Sequence, residues 1–319
     1  MRKLSRRIVL GSAVAFGLPA RAEDRPLRIV VGFPPGAGID TIARLIADKM
    51  RVSLGRPVVI ENKPGAAGMI ANTTVKAAAP DGTTLLMTPL ANMVFFPHSY
   101  ARLEYDVFKD YLPVAHLGSF PLALGVGPDV PAKTLPDYVA FAQKGGANAN
   151  FTAASLGSLP HFFGLMFART AGIELTYIPY KGTAQALPAL MSGEIPAAIL
   201  TLNDLGTAVQ SGKARILATS GAQRSPQYPD VPTFKESGYD IEGLAWYGLY
   251  APAGTPKEIV DALARAAIEA VRQPDVKQRL EPLGLDVTGL GPAELAAIQR
   301  ADYDKWGPII RASGFKADQ

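Results

Sequence analysis

The chain has 319 residues, no cysteine, three histidines and a formal net charge of +4. Without cysteine there is no disulfide, thiolate metal ligand, cysteine nucleophile or cysteine-linked lipid anchor, and three scattered histidines argue against a catalytic metal. The length allows two domains, each with a core of its own.

Residues 1–22 have the three-part layout of an export signal. Ser5–Leu10 carries a twin-arginine pattern, Ile8–Leu18 is apolar, and Ala20–Ala22 offers a small-residue cleavage site. The apolar stretch is too short to cross a bilayer. We therefore predict a twin-arginine signal peptide and a periplasmic mature protein. A basic amphipathic start of the fold is the alternative.

The export signal also accounts for the positive charge of the chain. Five basic residues and no acidic residue lie in 1–22, so 32 basic residues fall to 27 against 28 acidic ones. A near-neutral mature chain lacks the excess positive charge on which nucleic-acid binding depends. We therefore predict no nucleic-acid partner.

After the signal, strands and helices alternate. Apolar spacing predicts a first unit with strands at 27–32, 57–61 and 83–87 and helices at 39–54 and 65–79. The second unit has predicted strands at 122–127, 150–153, 175–178, 195–200 and 215–220, and helices at 135–144, 161–170, 184–192 and up to 211. A strand at 241–251 returns to the first unit, and helices at 256–271 and 292–310 close the chain.

This alternation predicts the fold class. Strand–helix alternation gives α/β units in which a parallel sheet is covered by helices on both faces. We predict two such lobes, with residues 23–121 and 221–319 in lobe I and residues 122–220 in lobe II. The chain is expected to cross between them near 119–124 and again near 219–222.

The loop after the first strand is predicted to bind an anion, because it leads straight into a helix. A helix start presents unpaired backbone N–H groups and the positive end of the helix dipole. Asp40, in the first turn, either shapes the loop or contacts the ligand. Glycines allow close approach to an oxygen, and prolines stiffen the loop before binding. The other candidate residues are Phe33, Pro34, Pro35, Gly36 and Gly38.

The same loop fits a dinucleotide site only in part. Gly36 and Gly38 follow a strand and Glu61 ends the next one, but Thr41 stands where the third glycine of G-x-G-x-x-G belongs. A phosphate-binding P-loop is excluded, because no Gly-Lys-Ser/Thr follows.

A serine nucleophile is a second enzymatic alternative. Ser155 lies one residue away from a G-x-S-x-G elbow, and His161 begins the next predicted helix. Capping or packing is the simpler role for that histidine. An exported enzyme, either a serine hydrolase or a nucleotide-cofactor reductase, stays open as the alternative to a binding protein.

Hydroxyl and N–H groups also gather at the carboxyl ends of other predicted strands, where ligands bind in α/β sheets. For each threonine alone, local backbone capping is the alternative. Together these groups predict a ligand that accepts hydrogen bonds at both ends. The candidates are Thr88 in lobe I and Ser155, Gly157, Ser158, Thr201 and Asp204 in lobe II.

Longer motifs resemble one family. Phe33-Pro-Pro-Gly-Ala-Gly-Ile-Asp40-Thr-Ile-Ala-Arg44 and Glu61-Asn-Lys-Pro-Gly-Ala-Ala-Gly68 are similar to signature loops of the Bug receptors, the solute-binding proteins of tripartite tricarboxylate transporters. Ala37 replaces a usual glycine, and Leu159-Pro160 is an atypical pair. The resemblance covers essentially the whole mature chain and continues in Gly157–His161, Tyr177–Gly182, Ser192–Glu194, Trp246-Tyr247, Ala251–Pro256, Trp306 and Ala312–Gly314.

The resemblance implies a periplasmic-binding-protein fold of the type II kind, with two Rossmann-like lobes and two interlobe crossings. It implies a non-catalytic receptor without cofactor or metal, which traps a small mono- or dicarboxylate by closure of the lobes. The implied partners are that carboxylate and the membrane permease subunits of a tripartite transporter, which can be encoded elsewhere. The receptor is expected to be a monomer.

Overall fold

The computed structural model describes residues 25–180 and 182–317, so the predicted signal peptide lies outside the described residues. Within these ranges there are ten strands: β1 Leu27–Val31, β2 Val58–Asn62, β3 Thr84–Pro89, β4 Tyr111–Val126, β5 Asn150–Ala153, β6 Thr176–Tyr177, β7 Ala197–Thr201, β8 Arg215–Thr219, β9 Leu244–Pro252 and β10 Asp286–Leu290.

The described residues also form ten α-helices, which cover the strands: α1 Gly38–Leu54, α2 Met69–Lys76, α3 Phe96–Ser99, α4 Leu135–Ala142, α5 Leu159–Ala171, α6 Thr183–Met191, α7 Leu202–Gln210, α8 Lys257–Arg272, α9 Pro274–Leu280 and α10 Pro292–Ala312. A π-helical turn, Ala91–Phe95, precedes α3. Of the helices in these ranges, none is long and apolar enough to cross a bilayer.

Helix ends follow from local sequence signals. Thr134 and Asp137 form a reciprocal capping box at the start of α4. Helix α1 ends at Gly55, whose φ of 64° is a left-handed conformation that glycine adopts without strain. Helices α5, α9 and α10 carry proline in the first turn, where its missing N–H leaves no helical bond unmade.

The first sheet has the order β2-β1-β3-β9-β4-β10. Strand β1 pairs in parallel with β2 and β3, but β9 runs antiparallel to β3 and β4. The sheet is therefore mixed, and the prediction of a parallel sheet was wrong. The chain enters β9 from the side of the second sheet, and β1 and β3 end on that same side. Strand β9 therefore runs antiparallel to them.

The second sheet has the order β8-β4-β7-β5-β6. Strand β4 belongs to both sheets, because residues 111–121 pair with β9 and residues 122–126 pair with β7 and β8. The predicted strand at 122–127 covers only the last five residues of β4, from 122 to 126. Pro113 and Pro121 lie inside β4 and hide it in the sequence, since proline cannot donate to the ladder.

Apolar clusters cover both faces of the first sheet. Helices α1 and α8 pack on one face. On the other face, Phe95 packs edge-on against Trp306 of α10 and Phe162 of α5, with ring centroids 5.7 and 5.4 Å apart. The apolar cluster that contains Phe95, Phe162 and Trp306 therefore continues from the first sheet into the second half of the molecule.

The segment between β8 and β9 packs on α5, beside the second sheet. The ring of Phe234 contacts Phe163 and Phe167 at centroid distances of 5.0 and 5.2 Å. Its N–H donates to the carbonyl of Thr219 at 3.0 Å. The chain enters the first sheet only at Leu244, where β9 begins.

Ser220 ties together the chain segments that pass between the sheets. Its buried hydroxyl accepts the N–H of Leu122 at 2.8 Å and donates to the carbonyl of Gly243. Its own N–H donates to the Leu122 carbonyl, and its carbonyl accepts the Gly243 N–H. The three segments are thereby joined at one buried residue.

Ser220→Ala is expected to lower the free energy of unfolding by about 1–3 kcal/mol, because it leaves a buried N–H and a buried carbonyl without their partner. Urea denaturation measures the difference. The control is Ser211→Ala, at an exposed helix end, with an expected effect within about 0.5 kcal/mol. Equal losses in the two variants would contradict the role of Ser220.

Candidate functional site

Both sheets direct the carboxyl ends of their parallel strands toward the point at which β4 changes partners. In the first sheet, Pro89 at the end of β3 pairs with Tyr247, which also pairs with Gly118 of β4. In the second sheet, Thr201 at the end of β7 pairs with Leu122. The stretch of β4 from Gly118 to Leu122 spans about 13 Å at ~3.3 Å per residue. The strand ends therefore face each other over a distance that suits a small organic molecule.

The loop between β1 and α1 is held by the side chain of Asp40, which is only 2% exposed. Its Oδ2 accepts the Gly36 N–H at 2.8 Å and the Arg44 Nε–H at 2.9 Å, and its Oδ1 accepts from Asn62 at 2.8 Å. Asn62 also donates to the carbonyl of Phe33 at 3.0 Å. The loop is therefore fixed from within, at both ends.

The same contacts set the charge state of Asp40. Burial raises the pKa of its carboxyl, but hydrogen bonds from Arg44, Gly36 and Asn62 outweigh burial and hold that pKa below its ordinary value. Asp40 is therefore ionised at neutral pH, and the Arg44 guanidinium beside it balances its charge. Both of its oxygens are engaged in shaping the loop.

Helix α1 opens from this loop with unpaired donors. The N–H groups of Gly38, Ile39 and Asp40 have no carbonyl one turn earlier, and the N-cap residue Ala37 has no side chain that could accept from them. Gly36 is exposed and has a φ of 84°. A methyl group built on Gly36 or Gly38 meets no atom within 4 Å. The helix start is therefore open to an anion.

The prolines and the aromatic residue of the loop have distinct surroundings. Pro34 and Pro35 are exposed, and the Pro34 carbonyl accepts the Ala37 N–H at 3.2 Å, which closes a turn. Phe33 is half-buried and packs against the apolar cluster beneath α1. The exposed part of the loop is thus stiffened by two prolines and a backbone turn, and Phe33 forms its apolar base.

A strained loop lies against the end of β1. Ala66 and Ala67 have φ of 45° and 51°, between Gly65 and Gly68 at 133° and 94°. Non-glycine residues in this region cost about 1–3 kcal/mol each, and such strain clusters at functional sites. A Cβ on Gly32 would lie 2.5 Å from the Gly68 Cα, so the two loops touch. The prediction of a helix from residue 65 was wrong, since α2 begins at Met69.

Thr88 supports this strained loop from below. It is 2% exposed, and its hydroxyl donates to the side-chain carbonyl of Asn72 at 3.4 Å. Asn92, also buried, donates to the same oxygen and to the carbonyl of Ala67 at 3.2 Å. Thr88 therefore lies under the loops, within a buried polar cluster.

The second sheet presents the loop 154–158 between β5 and α5. The hydroxyl and the N–H of Ser158 both donate to the carbonyl of Ser155, at 2.6 and 3.3 Å. The Gly157 N–H donates to Nδ1 of His161 at 3.2 Å. Burial lowers the pKa of His161 to about 4, so its ring is neutral and accepts this bond. His161 therefore caps the loop, and the Ser155 side chain stays exposed.

Thr201 and Asp204 form the start of α7. Thr201 is the N-cap, and its hydroxyl accepts the Asp204 N–H at 3.2 Å. The Asp204 carboxylate stands in the first turn of the helix, where it complements the helix dipole. Local capping accounts for the contacts of Thr201.

Two aromatic residues lie on the paired strands β4 and β9, near the point at which β4 changes partners. The rings of Phe120 on β4 and Tyr247 on β9 meet edge-on at a centroid distance of 5.0 Å. Both are half-buried and pack, like Phe33, against the cluster beneath α1 and α8. Burial raises the pKa of Tyr247 to about 12, so its hydroxyl is neutral.

A cavity of about 560 Å³ lies elsewhere, between α5 and the end of α10, where Leu165, Met166 and Ile309 line it. Its lining includes none of the predicted site residues. In the part of the chain that the structure describes, no three His, Asp or Glu side chains gather as metal ligands do.

Sequence reasoning missed the supporting polar residues of the first loop. Asn62 and Arg44 complete the Asp40 network, and Asn72 and Asn92 hold the strained loop. Asn62 lies in the motif Glu61–Gly68, and its place in that motif was the signal that could have identified it as a site residue. Asn92 stands alone in the apolar run Leu90–Phe95, which was the only sign for it, whereas Asn72 is followed by Thr73 and Thr74 and has no such signal.

The fold and the facing loops define a class. Two α/β lobes joined by a shared strand form the architecture of periplasmic solute-binding proteins. Residues 42–315 match the tripartite tricarboxylate transporter family receptor, and the chain belongs to that family. The periplasmic binding protein BugD is among the similar solved structures, at 30% identity and a TM-score of 0.72, covering 92% of this chain and 98% of BugD.

Three similar proteins illustrate the family. BugT of Bordetella pertussis is 31% identical over 298 residues, which cover 92% of this chain and 90% of BugT. MatC of Rhodopseudomonas palustris, solved with bound malate, is 34% identical with a TM-score of 0.72, covering 90% of this chain and 99% of MatC. A second R. palustris protein, solved with adipate, is 28% identical with a TM-score of 0.76, covering 92% and 98%.

Asp40→Asn is expected to lower the free energy of unfolding at pH 7 by about 1–3 kcal/mol, because an amide loses one acceptor and the charge that Arg44 balances. The folded pKa of Asp40 is lowered, so its contribution is complete above the unfolded pKa of about 3.9 and is lost as the pH falls through the folded value. Urea denaturation at pH 7 and pH 3 measures the difference.

The control for this variant is Asp48→Asn, which removes an exposed charge from the same helix. Its effect should be within about 0.5 kcal/mol at both pH values. If the cost of Asp40→Asn were the same at pH 3 as at pH 7, the charge-based account of the loop would fail.

Proposed function

We propose that this protein is a periplasmic receptor that captures a small carboxylate between two lobes and delivers it to a membrane permease. The observation that carries the proposal is the open start of α1, where a preformed loop leads into unpaired N–H groups. Membership of the receptor family supports it, and malate and adipate in related proteins support a carboxylate ligand.

In the proposed complex, one carboxylate of the ligand lies at the first loop. Backbone N–H groups from Gly38 onward and the positive end of α1 receive it, and Phe33 contacts its carbon body. Pro34, Pro35 and Asp40 hold the loop, and Thr88 supports it indirectly. The loop 155–158 and the start of α7 at Thr201 and Asp204 cover the other end of the ligand.

The lobes are proposed as residues 25–121 with 244–317, and residues 122–243. This division places the second crossing later than the predicted 219–222, because Phe234 packs on α5. Closure of the lobes would bend the chain near Leu122 and Gly243, both of which hydrogen-bond to the buried Ser220.

The contacts of the enzymatic candidates favour a receptor. His161 accepts from the Gly157 N–H, so its Nδ1 is not free to act as a base for Ser155. Glu61, the candidate ribose-binding acid, forms ion pairs with Arg28 and Lys63 at 3.1 and 3.0 Å. Both enzymatic alternatives would require these groups to leave their present partners.

The proposal includes the location and the oligomeric state of the protein. The signal over 1–22 directs the folded chain to the periplasm, where it acts as a monomer. Cell fractionation and light scattering test these two statements. Cytoplasmic protein that keeps residues 1–22 would contradict the first, and a stable dimer would contradict the second.

Gly36→Val is expected to abolish carboxylate binding without unfolding the protein. A β-branched residue is strained at a φ of 84°, and its methyl groups would occupy the open space at the helix start. Calorimetric titration with a panel of mono- and dicarboxylates measures binding, and thermal unfolding checks the fold.

The matched control is Gly55→Val, at the other end of α1. Gly55 has a φ of 64° and equally open surroundings, so the two variants carry similar strain at the two ends of one helix. Gly55→Val should keep full binding. Wild-type affinity in Gly36→Val, or equal loss in both variants, would rule out the proposed site.

A further inference from the structure

We infer that Phe315, which follows the last helix, is a positioning residue for the loop 154–158 between β5 and α5. The inference rests on the proposed function and deepens it, because it names a contact that holds the far end of the ligand site in place. Phe315 belongs to the C-terminal strap, which we define as residues 313–317. The strap leaves α10 on the side of the first sheet, and its phenylalanine touches a loop of the second sheet.

The C-terminal strap is fixed to the part of the molecule that contains the first sheet. Helix α10, which precedes the strap, is joined to β9, because the Nε1–H of Trp246 donates to the carboxylate of Asp302 at 2.8 Å. At the other end of the strap, the Ala317 N–H donates to the carbonyl of Ser99 at 2.9 Å. Phe315 is therefore held from both sides along the chain.

The ring of Phe315 lies directly against the backbone of Gly157 in the loop. A Cβ built on Gly157 would lie 2.3 Å from Cζ and 2.6 Å from Cε1 of that ring, so the ring fills the space that a side chain would need. The same ring packs edge-on against Phe162 of α5 at a centroid distance of 5.7 Å, so it cannot give way freely. Phe315 thereby contacts both the loop and the start of the helix that follows it.

This loop leads into a second helix start with unpaired donors. The N–H groups of Leu159 and His161 have no carbonyl one turn earlier, and Pro160 between them has no N–H. The Ser158 hydroxyl at the N-cap accepts from neither, since it donates to the carbonyl of Ser155. In the proposed complex, these N–H groups receive the end of the ligand that lies away from α1. Because hydrogen bonds weaken steeply as they bend, the position of this helix start affects how tightly the ligand binds.

The loop is supported from two different parts of the molecule. The Gly157 N–H donates to Nδ1 of His161 at 3.2 Å, which is a support from the helix that the loop itself begins. Phe315 supports the same glycine from the side of the first sheet. Removal of the Phe315 ring therefore leaves the internal hydrogen bonds of the loop in place and takes away a contact that sets its position relative to α1.

Phe315→Ala is expected to weaken carboxylate binding roughly tenfold, the equivalent of about one hydrogen bond to a charged group. Calorimetric titration with malate, adipate, hexanoate and phenylacetate measures the affinities. The control is Phe108→Ala, which removes a ring that packs on Tyr303 of α10 at a centroid distance of 5.0 Å, away from the loop. This control should keep wild-type affinity.

A double-mutant cycle in urea tests the contact without any ligand. Gly157→Ala adds a methyl group where the Phe315 ring lies, so it should lower the urea midpoint of unfolding. In a Phe315→Ala background the methyl group has room, and the further loss should be smaller. The control is Gly172→Ala, which has a similar φ of 64° at the end of α5 and no atom within 4 Å of a built Cβ. Its loss should be the same with and without the Phe315 ring.

Amide NMR of the ligand-free protein distinguishes local positioning from general support of the fold. In Phe315→Ala, the signals of Gly157 and of the start of α5 should shift, because the aromatic ring leaves their surroundings. Signals at the start of α1, such as that of Gly38, should stay unchanged. Shifts spread over both sheets would contradict a positioning role.

The outcomes separate the two proposals. If wild-type protein binds none of the four carboxylates, the proposed function fails and the inference falls with it. If wild-type protein binds one of them and Phe315→Ala binds it equally tightly, the proposed function stands and the inference is overturned. Equal losses of affinity in Phe315→Ala and Phe108→Ala, or strictly additive losses in the double-mutant cycle, would also overturn the inference.

Discussion

Strand β4 makes main-chain hydrogen bonds in both sheets, first to β9 and then to β7 and β8. Because a paired strand cannot slide without breaking its ladder, this strand fixes the level of one set of loops relative to the other. The ends of β3 and β7 consequently face each other at a set spacing. Ser220 adds side-chain hydrogen bonds to Leu122 and Gly243 at the same point.

The electrostatics of the proposed site depend on Asp40. The acid nearest the proposed site, Asp40, is used to order the loop, and its negative charge is balanced by Arg44. In the proposed complex, recognition of an anion is thereby left to backbone N–H groups and the helix dipole, which are rigid and need no reorganisation. The strained residues Ala66 and Ala67 are held by Asn92 next to this loop. Rigid loops beside the start of α1 would lower the entropy cost of binding there.

Much of this architecture could be predicted from the sequence. The apolar run before Gly32 and the periodic residues of α1 locate the first strand, loop and helix, because pattern and local propensity agree there. Strand β4 could not be delimited, since its prolines oppose strand formation and only tertiary pairing overrides them. The helical start expected at Gly65 was wrong because the backbone there adopts left-handed conformations that no local signal encodes. Side-chain partners such as Asn62 for Asp40 depend on long-range contacts, which periodicity does not report.

The most direct test is a carboxylate titration of the isotope-labelled mature protein, followed by backbone amide NMR. The account predicts that the amide protons of Gly38 and Ile39 shift downfield most strongly, as they gain charge-assisted hydrogen bonds. Smaller changes should appear at Leu156 in the facing loop. Shifts confined to the cavity lined by Leu165, Met166 and Ile309, with the start of α1 unchanged, would contradict the account.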